Sequence, residues 1–302
     1  MPATDRSAAV GALAVAVTGL LWGTTGTAAT FAPEAGPLAI GSAALGVGGI
    51  LQALIAIGPL RAAWPAIRAR WGLVALGAVA VAIYPLAFYS SMHLAGVAIG
   101  SVVSLASAPL ASGVIERVVD GHPLTRRWML AAGLGIVGSA LLSAGKDAAG
   151  GSAVDTVIGI VLGLVAGLTY ATYSWVAQSL MAAGVPRAAA MGSVFGAGGI
   201  LLLPVLAATG APLVASAAAF GVAAYMAVVP MFLGYVLFGI GLSRIRASTA
   251  TTVTLIEPAA ATILAVAVVG ERLSVTGWIG IALLGAALVV LAVRPAPPAV
   301  RA

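Results

Sequence analysis

Glu257 is followed at once by Pro258 and preceded by Ser248, Thr249, Thr251, Thr252 and Thr254, a run of hydroxyls that ends on a single acid. The flanking residues are apolar, and the acid falls near the middle of a stretch long enough to cross a bilayer. An unpaired charge at that depth costs at least about 2.5 kcal/mol, so the carboxyl must be protonated, paired or facing water, and an acid so placed is a functional candidate. Two roles suit it: it titrates in a working cycle, coupling to protons or recognising a cation, or it caps backbone groups loosened by Pro258. Thr251, Thr254 and Thr262 share a stripe with Pro258, and Ser101, Ser104, Ser107 and Ser112 form a parallel row around Pro109. Such hydroxyls either hydrogen-bond the amino or carboxylate groups of a solute or bond back onto their own helices and bend them.

Aromatic residues supply the second pattern. Tyr84-Pro85 precedes Phe88, Tyr89 and Ser91, so Tyr84, Phe88 and Ser91 share a helical face while Pro85 frees a backbone carbonyl. Pro230, Met231, Tyr235 and Phe238 mirror the arrangement. Rings offer apolar contact and phenols a hydrogen bond, which suits a cavity for an amphipathic solute; plain packing or lipid contact is the alternative. The candidate binding set is Trp22, Tyr84, Phe88, Ser104, Tyr173, Tyr235, Thr251 and Thr254, with Glu257 as a coupling or structural acid and Pro85 and Pro230 as hinges. Gln52 and Gln178 read as interhelical hydrogen-bonding residues, and Glu116 with Arg117 as a solvated boundary. His93 and His122 fall in loops on opposite sides of the membrane and cannot pair on a metal. No His-Glu-x-x-His, Walker-type glycine loop or acid cluster occurs, so no catalytic residue, metal or cofactor is expected.

The elements that position these residues are apolar stretches of roughly 20 residues, the length that a bilayer core needs. They run at 8–30, 37–57, 72–91, 97–118, 128–145, 156–181, 188–208, 217–240, 247–269 and 276–293. With 62% hydrophobic and 7% charged residues, no soluble domain is expected. The first stretch lacks a basic n-region and an Ala-x-Ala site, and is read as a retained helix rather than a signal peptide. Cysteine is absent, which excludes disulfides and thiolate catalysis. The net charge of +6 reflects topology rather than nucleic-acid binding. An N-terminus inside places Arg6, Arg61, Arg68, Arg70, Arg117, Arg126, Arg127, Arg187, Arg244, Arg246, Arg294 and Arg301 on the cytoplasmic side, against Lys146 and Arg272 outside. Both termini are therefore expected in the cytoplasm. Trp64, Trp71, Trp128 and Trp278 read as interfacial anchors.

The series repeats. Gly121-His122-Pro123-Leu124-Thr125 with Trp128 and Gly135 echoes Gly270-Glu271-Arg272-Leu273-Ser274 with Trp278 and Gly285, and Pro109 falls opposite Pro258. Five spans per half is odd, so the second half enters from the other side. The reading is an all-α polytopic membrane protein of ten transmembrane helices, two inverted-topology five-helix repeats over 1–150 and 151–302 that form one transport unit.

The Leu21-Trp22-Gly23 opening, Glu257-Pro258 and Gly270-Glu271-Arg272-Leu273-Ser274, in this order and spacing, resemble the drug/metabolite transporter superfamily, and specifically its ten-helix EamA-type exporters. The first half departs from that pattern, with Ala108-Pro109 and Gly121-His122-Pro123-Leu124 where the family usually carries Glu-Pro and Gly-Glu-Arg-Leu. The resemblance implies an exporter of small metabolites in the bacterial inner membrane, with a central cavity and no ATP hydrolysis; the branch exporting aromatic and other amino acids looks nearest. Its partners would be a small-molecule substrate, membrane lipids and protons as the candidate coupling ion, with no nucleic acid and a single copy working alone. A broad-specificity drug or organic cation exporter is the first alternative. An intramembrane enzyme acting on a lipid-linked group is the second, and it needs a second strong acid or base that the sequence does not offer.

Overall fold

Lipid offers the backbone no hydrogen-bond partner, so a chain this apolar must satisfy its peptide groups inside helices. The computed structural model describes residues 3–143, 152–264, 266–267 and 274–292, with no strand among them. The first half runs α1 (Ala3–Trp22), α2 (Thr25–Ala29), α3 (Pro37–Gly41), a π-helical stretch (Ser42–Val47), α4 (Gly48–Ile55), α5 (Ile57–Ala62), α6 (Trp64–Ala69), α7 (Trp71–Ala95), α8 (Val97–Val118) and α9 (Arg126–Ser143). The second runs α10 (Ala153–Ala182), α11 (Arg187–Thr209), a 3-10 turn (Ala211–Val214), α12 (Ala217–Met226), a second π-helical stretch (Ala227–Leu233), α13 (Gly234–Leu242), α14 (Ala247–Val253), α15 (Ile256–Leu264) and α16 (Val275–Ala292). Seven segments are long and apolar enough to cross a membrane: Arg6–Ala29, Pro37–Ile55, Trp71–Ala95, Ile99–Val118, Ala153–Ala182, Arg187–Thr209 and Ala217–Leu242. The other expected spans hold α9, the pair α14 and α15, and α16. Lys146, Gly270-Glu271-Arg272-Leu273, Arg294, Arg301 and the boundary at 150/151 lie outside the described residues.

Three local readings change. The stretch expected as one helix from 247 to 269 is interrupted at Thr254-Leu255. Pro258 has no N–H, and its ring blocks the carbonyl four residues back, which is that of Thr254. Thr254 O accepts instead from Glu257 N at 2.9 Å, tightening the chain just before the acid. The arginine-rich break from 61 to 70 folds as α5 and α6. Trp128 is buried rather than interfacial: its Nε1–H donates to Ser248 O at 3.1 Å, and its ring fills the space that Gly113 leaves. Trp64, Trp71 and Trp278 are exposed, as anchors would be.

Capping fixes where long helices start. Ser152 Oγ accepts from Asp155 N while the Asp155 carboxylate accepts from Ser152 N, a reciprocal box that opens α10. Ser216 Oγ accepts from Ala219 N and opens α12.

The helices sort into two bundles, each drawn from both halves of the chain. In one, α10 lies along α7 and α8; in the other, α1 lies along α13, α14 and α15. Between them α11 crosses the Pro37–Ile55 segment, and α9 pairs with α16. Close approach in lipid needs small residues, and glycines provide it. A Cβ at Gly159 of α10 would stand 2.6 Å from Ala95, one at Gly163 would stand 2.9 Å from Ser91 Oγ, and one at Gly167 would overlap the Ser107 hydroxyl. Gly167→Leu is therefore expected to destabilise the protein by at least about 1–3 kcal/mol, the usual cost of overpacking. Thermal unfolding in detergent checks this, and an unchanged Tm would contradict the contact.

A candidate solute site between two bundles

Pro85 sits inside an unbroken α7, and the residues around it build one wall of a cavity. Tyr84, Pro85, Phe88 and Tyr89 face it from the first bundle. Trp22, Thr25, Met231, Tyr235 and Glu257 face it from the second side, and Ala44 and Leu45 of the first π stretch close the edge. The space is about 20 Å3, room for roughly one water molecule, so the site is almost shut. Glu257 is 7% exposed, and among the described residues its buried Oε2 has no hydrogen-bond partner.

Trp22 is fixed from below and from both sides. Its indole N–H donates to Pro230 O at 2.9 Å, its ring lies 4.9 Å from Tyr235 and 5.4 Å from Phe238, and Gly234 leaves the room it occupies. Three side chains reach carbonyls of the π stretch that carries Pro230 and of the residue after it: Trp22 at Pro230 O, Gln52 at Phe232 O (2.7 Å) and Thr18 at Gly234 O (3.0 Å). Gln52 is thus the interhelical residue expected of it. Gln178 is another, donating to Leu242 O and Ile245 O and accepting from Ala247 N.

From the cavity toward one end, the two bundles are tied together. Tyr173 and Tyr235 share a 2.7 Å hydrogen bond, Tyr170 and Thr254 one of 2.9 Å, and Thr251 and Ser112 one of 3.3 Å. Phe195 and Phe238, both fully buried, fill the gaps around them. Farther along, Glu116 accepts from Ser248 N at 2.8 Å and from Ser248 Oγ at 2.7 Å. Glu116 is 2% exposed, so it is a buried link between α8 and α14 and not a solvated boundary. This end opens into a hollow of about 750 Å3 edged by Arg187, Arg244, Arg246, Asp120 and His122, and it is the basic end of the molecule. At the opposite end a crevice of about 450 Å3 runs beside Thr24, Thr27, Phe31, Val222 and Tyr225.

Of the expected site residues, the structure brings Trp22, Tyr84, Phe88, Tyr235, Glu257 and Pro85 to the cavity. Tyr173 stands behind Tyr235, and Pro230 holds Trp22. Ser104, Thr251 and Thr254 do not line the space. Their hydroxyls donate to carbonyls of their own helices, at Gly100, Ala247 and Thr251. Ser91 likewise turns to Gly159 O on α10. Trp175 reaches the basic end, where its N–H donates to Asp120. His93 ends α7 and is exposed. Among the described residues no group of acids and histidines could hold a metal.

Thr25 and Tyr89 are lining residues that the sequence reading did not select. The signal was present in Tyr84-Pro85-Leu86-Ala87-Phe88-Tyr89. Positions i, i+1, i+4 and i+5 span roughly 140° of a helix, a broad face rather than the narrow stripe at i, i+4 and i+7.

Known proteins share this architecture. A solved crystal structure superposes with a TM-score of 0.75 over 93% of this chain and 96% of its own, at 18% sequence identity, which speaks for the fold. The Bacillus subtilis (strain 168) protein named uncharacterized transporter YwfM is 34% identical over 289 residues, 94% of each chain. The model of the EamA-like transporter family matches twice, over residues 9–144 and 157–293. With a paired match across nearly the whole sequence and helices fit to cross a bilayer, the chain is a multi-pass membrane transporter and not an enzyme, and it belongs to the EamA-like transporter family of the drug/metabolite transporter superfamily.

Proposed function

We propose that this transporter exports small metabolites by alternating access, holding the solute between the bundle of α7, α8 and α10 and the bundle of α1, α13, α14 and α15. The observation that carries the reading is the uneven closure around the cavity. Hydrogen bonds and packed rings join the bundles from the centre to the basic end, and the cavity lined by Trp22, Tyr84 and Glu257 lies at the inner limit of these ties. Rocking the bundles to part these contacts, with the reverse movement at the other end, would switch access from one side to the other.

Ten spans arranged as two oppositely threaded repeats account for the packing. Exchanging the halves turns the pairing of α10 with α7 and α8 into that of α1 with α13, α14 and α15, and leaves α9 with α16 and α11 with the Pro37–Ile55 segment. On the distribution of arginines the basic end faces the cytoplasm, with both termini there, in a bacterial inner membrane. Aromatic and neutral amino acids are the first substrate class on the strength of the ring-lined cavity, protons are the candidate coupling ion, and one copy suffices.

A counterflow screen in proteoliposomes, across amino acids, nucleobases and organic cations, tests the proposal. Saturable and substrate-selective exchange is the expected outcome. Flux that rises without saturation would identify a channel and overturn the carrier reading.

A further inference from the structure

The hollow of about 750 Å3 at the basic end lies apart from the central cavity, and its walls come from both sides of the junction between the bundles. Asp120 and His122 follow α8, Gln178 and Met181 belong to α10, and Arg187 opens α11. Opposite them, Leu242 ends α13, and Arg244, Ile245 and Arg246 lie in the turn into α14. The first side already grips that turn: Gln178 donates to Leu242 O and Ile245 O and accepts from Ala247 N, and Glu116 accepts from Ser248 N. Three arginines against one aspartate leave the hollow with an excess of two positive charges, His122 counted as neutral. The aspartate is engaged, accepting from the Trp175 N–H at 2.9 Å with His122 Nδ1 4.0 Å away. Arg244 donates one N–H, from Nη1, to Ile240 O at 2.9 Å. Among the described residues no carboxylate lies within 4.0 Å of any of the three guanidinium groups. Like charges around one concave space raise the potential inside it and draw in an anion.

We infer that this hollow is a regulatory site for a phosphate monoester, whose dianion joins Arg187 to Arg244 and Arg246 and holds the basic end shut. A dianion matches the excess of two charges, and guanidinium forks pair with phosphate oxygens through short, charge-assisted hydrogen bonds. Met181, Val185, Leu242 and Ile245 give the lining an apolar part for the organic body of the ester, and the volume falls within the roughly 300–1,000 Å3 of small-ligand sites. The regulatory half of the inference rests on the carrier reading above. The arginines stand on elements that must separate if the basic end opens, so a ligand held by all three binds the closed form and not the open one. Such a ligand draws the population toward the closed form and slows exchange. The ester comes either from solution or from the headgroup of an anionic lipid at the same face.

Phenyl phosphate, benzoate and benzyl alcohol carry one ring with a dianion, a monoanion and no charge. Their binding is measured by calorimetry on the full chain in phosphatidylcholine nanodiscs, and their effect on counterflow in proteoliposomes with the probe on both faces. Phenyl phosphate is expected to bind at least about tenfold more tightly than benzoate, and benzyl alcohol not to bind. Bound phenyl phosphate should raise the Tm and slow exchange at least about threefold. Arg187→Gln should weaken phenyl phosphate at least about tenfold and abolish the slowing, while Arg187→Lys keeps part of both. Removing a cation from the first turn of α11 does not oppose the helix dipole, so the variant should fold and exchange solute without the probe as the parent does. Arg246→Gln carries the same test from the facing wall if Arg187→Gln does not fold. Nanodiscs in which phosphatidic acid replaces part of the phosphatidylcholine identify the source. Displacement of phenyl phosphate by phosphatidic acid in the parent assigns the site to a lipid headgroup, and undisturbed phenyl phosphate binding assigns it to a soluble ester; either supports the site. Absence of binding by both phosphates, benzoate binding as tightly as phenyl phosphate, affinity unchanged in both arginine variants, or exchange at full rate with the probe bound would overturn the inference. Arg187-dependent binding without exchange of any solute would keep the anion site and remove the carrier reading, and saturable exchange without phosphate binding would do the reverse.

Discussion

Cysteines introduced by Ser112→Cys and Thr251→Cys and oxidised to a disulfide will stop counterflow almost completely, and reduction will restore it. The two hydroxyl oxygens are 3.3 Å apart across the junction of α8 and α14, within reach of the geometry a disulfide requires. The chain has no cysteine of its own, so only the engineered pair can form. If the bundles must part here to expose the cavity to the basic end, a covalent tie removes that state from the cycle. Exchange should fall below about a tenth of the reduced level, while binding from the opposite end persists. Full counterflow with the bond demonstrably formed would show that α8 and α14 do not separate in transport.

Trp22→Ala is expected to be the most damaging single truncation at the cavity. Trp22 is 3% exposed and packs on Tyr170, Tyr235 and Phe238. Losing a buried indole costs about 3–5 kcal/mol through lost contact and the space left behind. The Pro230 carbonyl then loses its donor as well, a further cost of about 1–3 kcal/mol for a buried unsatisfied group. Trp22→Phe keeps the packing and loses the hydrogen bond, so it should fall between the parent and Trp22→Ala in thermal unfolding. Equal Tm values for the phenylalanine variant and the parent would show that the bond to Pro230 contributes nothing to stability.

Much of this architecture can be read from the chain because apolar length and turn chemistry are strong, local signals in lipid. The expected spans at 97–118 and 188–208 meet helices Val97–Val118 and Arg187–Thr209 almost residue for residue. Aromatic residues beside prolines point to the cavity for a related reason: Tyr84, Phe88 and Tyr235 carry large rings, and the two tyrosines end in a hydroxyl that lipid cannot satisfy. Hydroxyls are less legible. A serine or threonine on a transmembrane helix always has a carbonyl three or four residues back, and Ser104, Thr251 and Thr254 take it. Glu116 is hidden for another reason. Its neighbour Arg117 suggests a charged rim, yet adjacent residues on a helix point about 100° apart, and only the approach of Ser248 from 132 residues away makes the burial evident.

The widened turn at Ala227–Leu233 and Gly234 just after it accept side-chain hydrogen bonds from Thr18, Trp22 and Gln52, which precede their partners by 180 to 216 residues. A later part of the polypeptide is thus held by donors from an earlier part, so maturation has a direction. During synthesis, the amino-terminal portion already waits in the bilayer as a template when the carboxy-terminal portion emerges. The latter on its own would lack these three donors, and the halves are interdependent from birth rather than two finished pieces brought together.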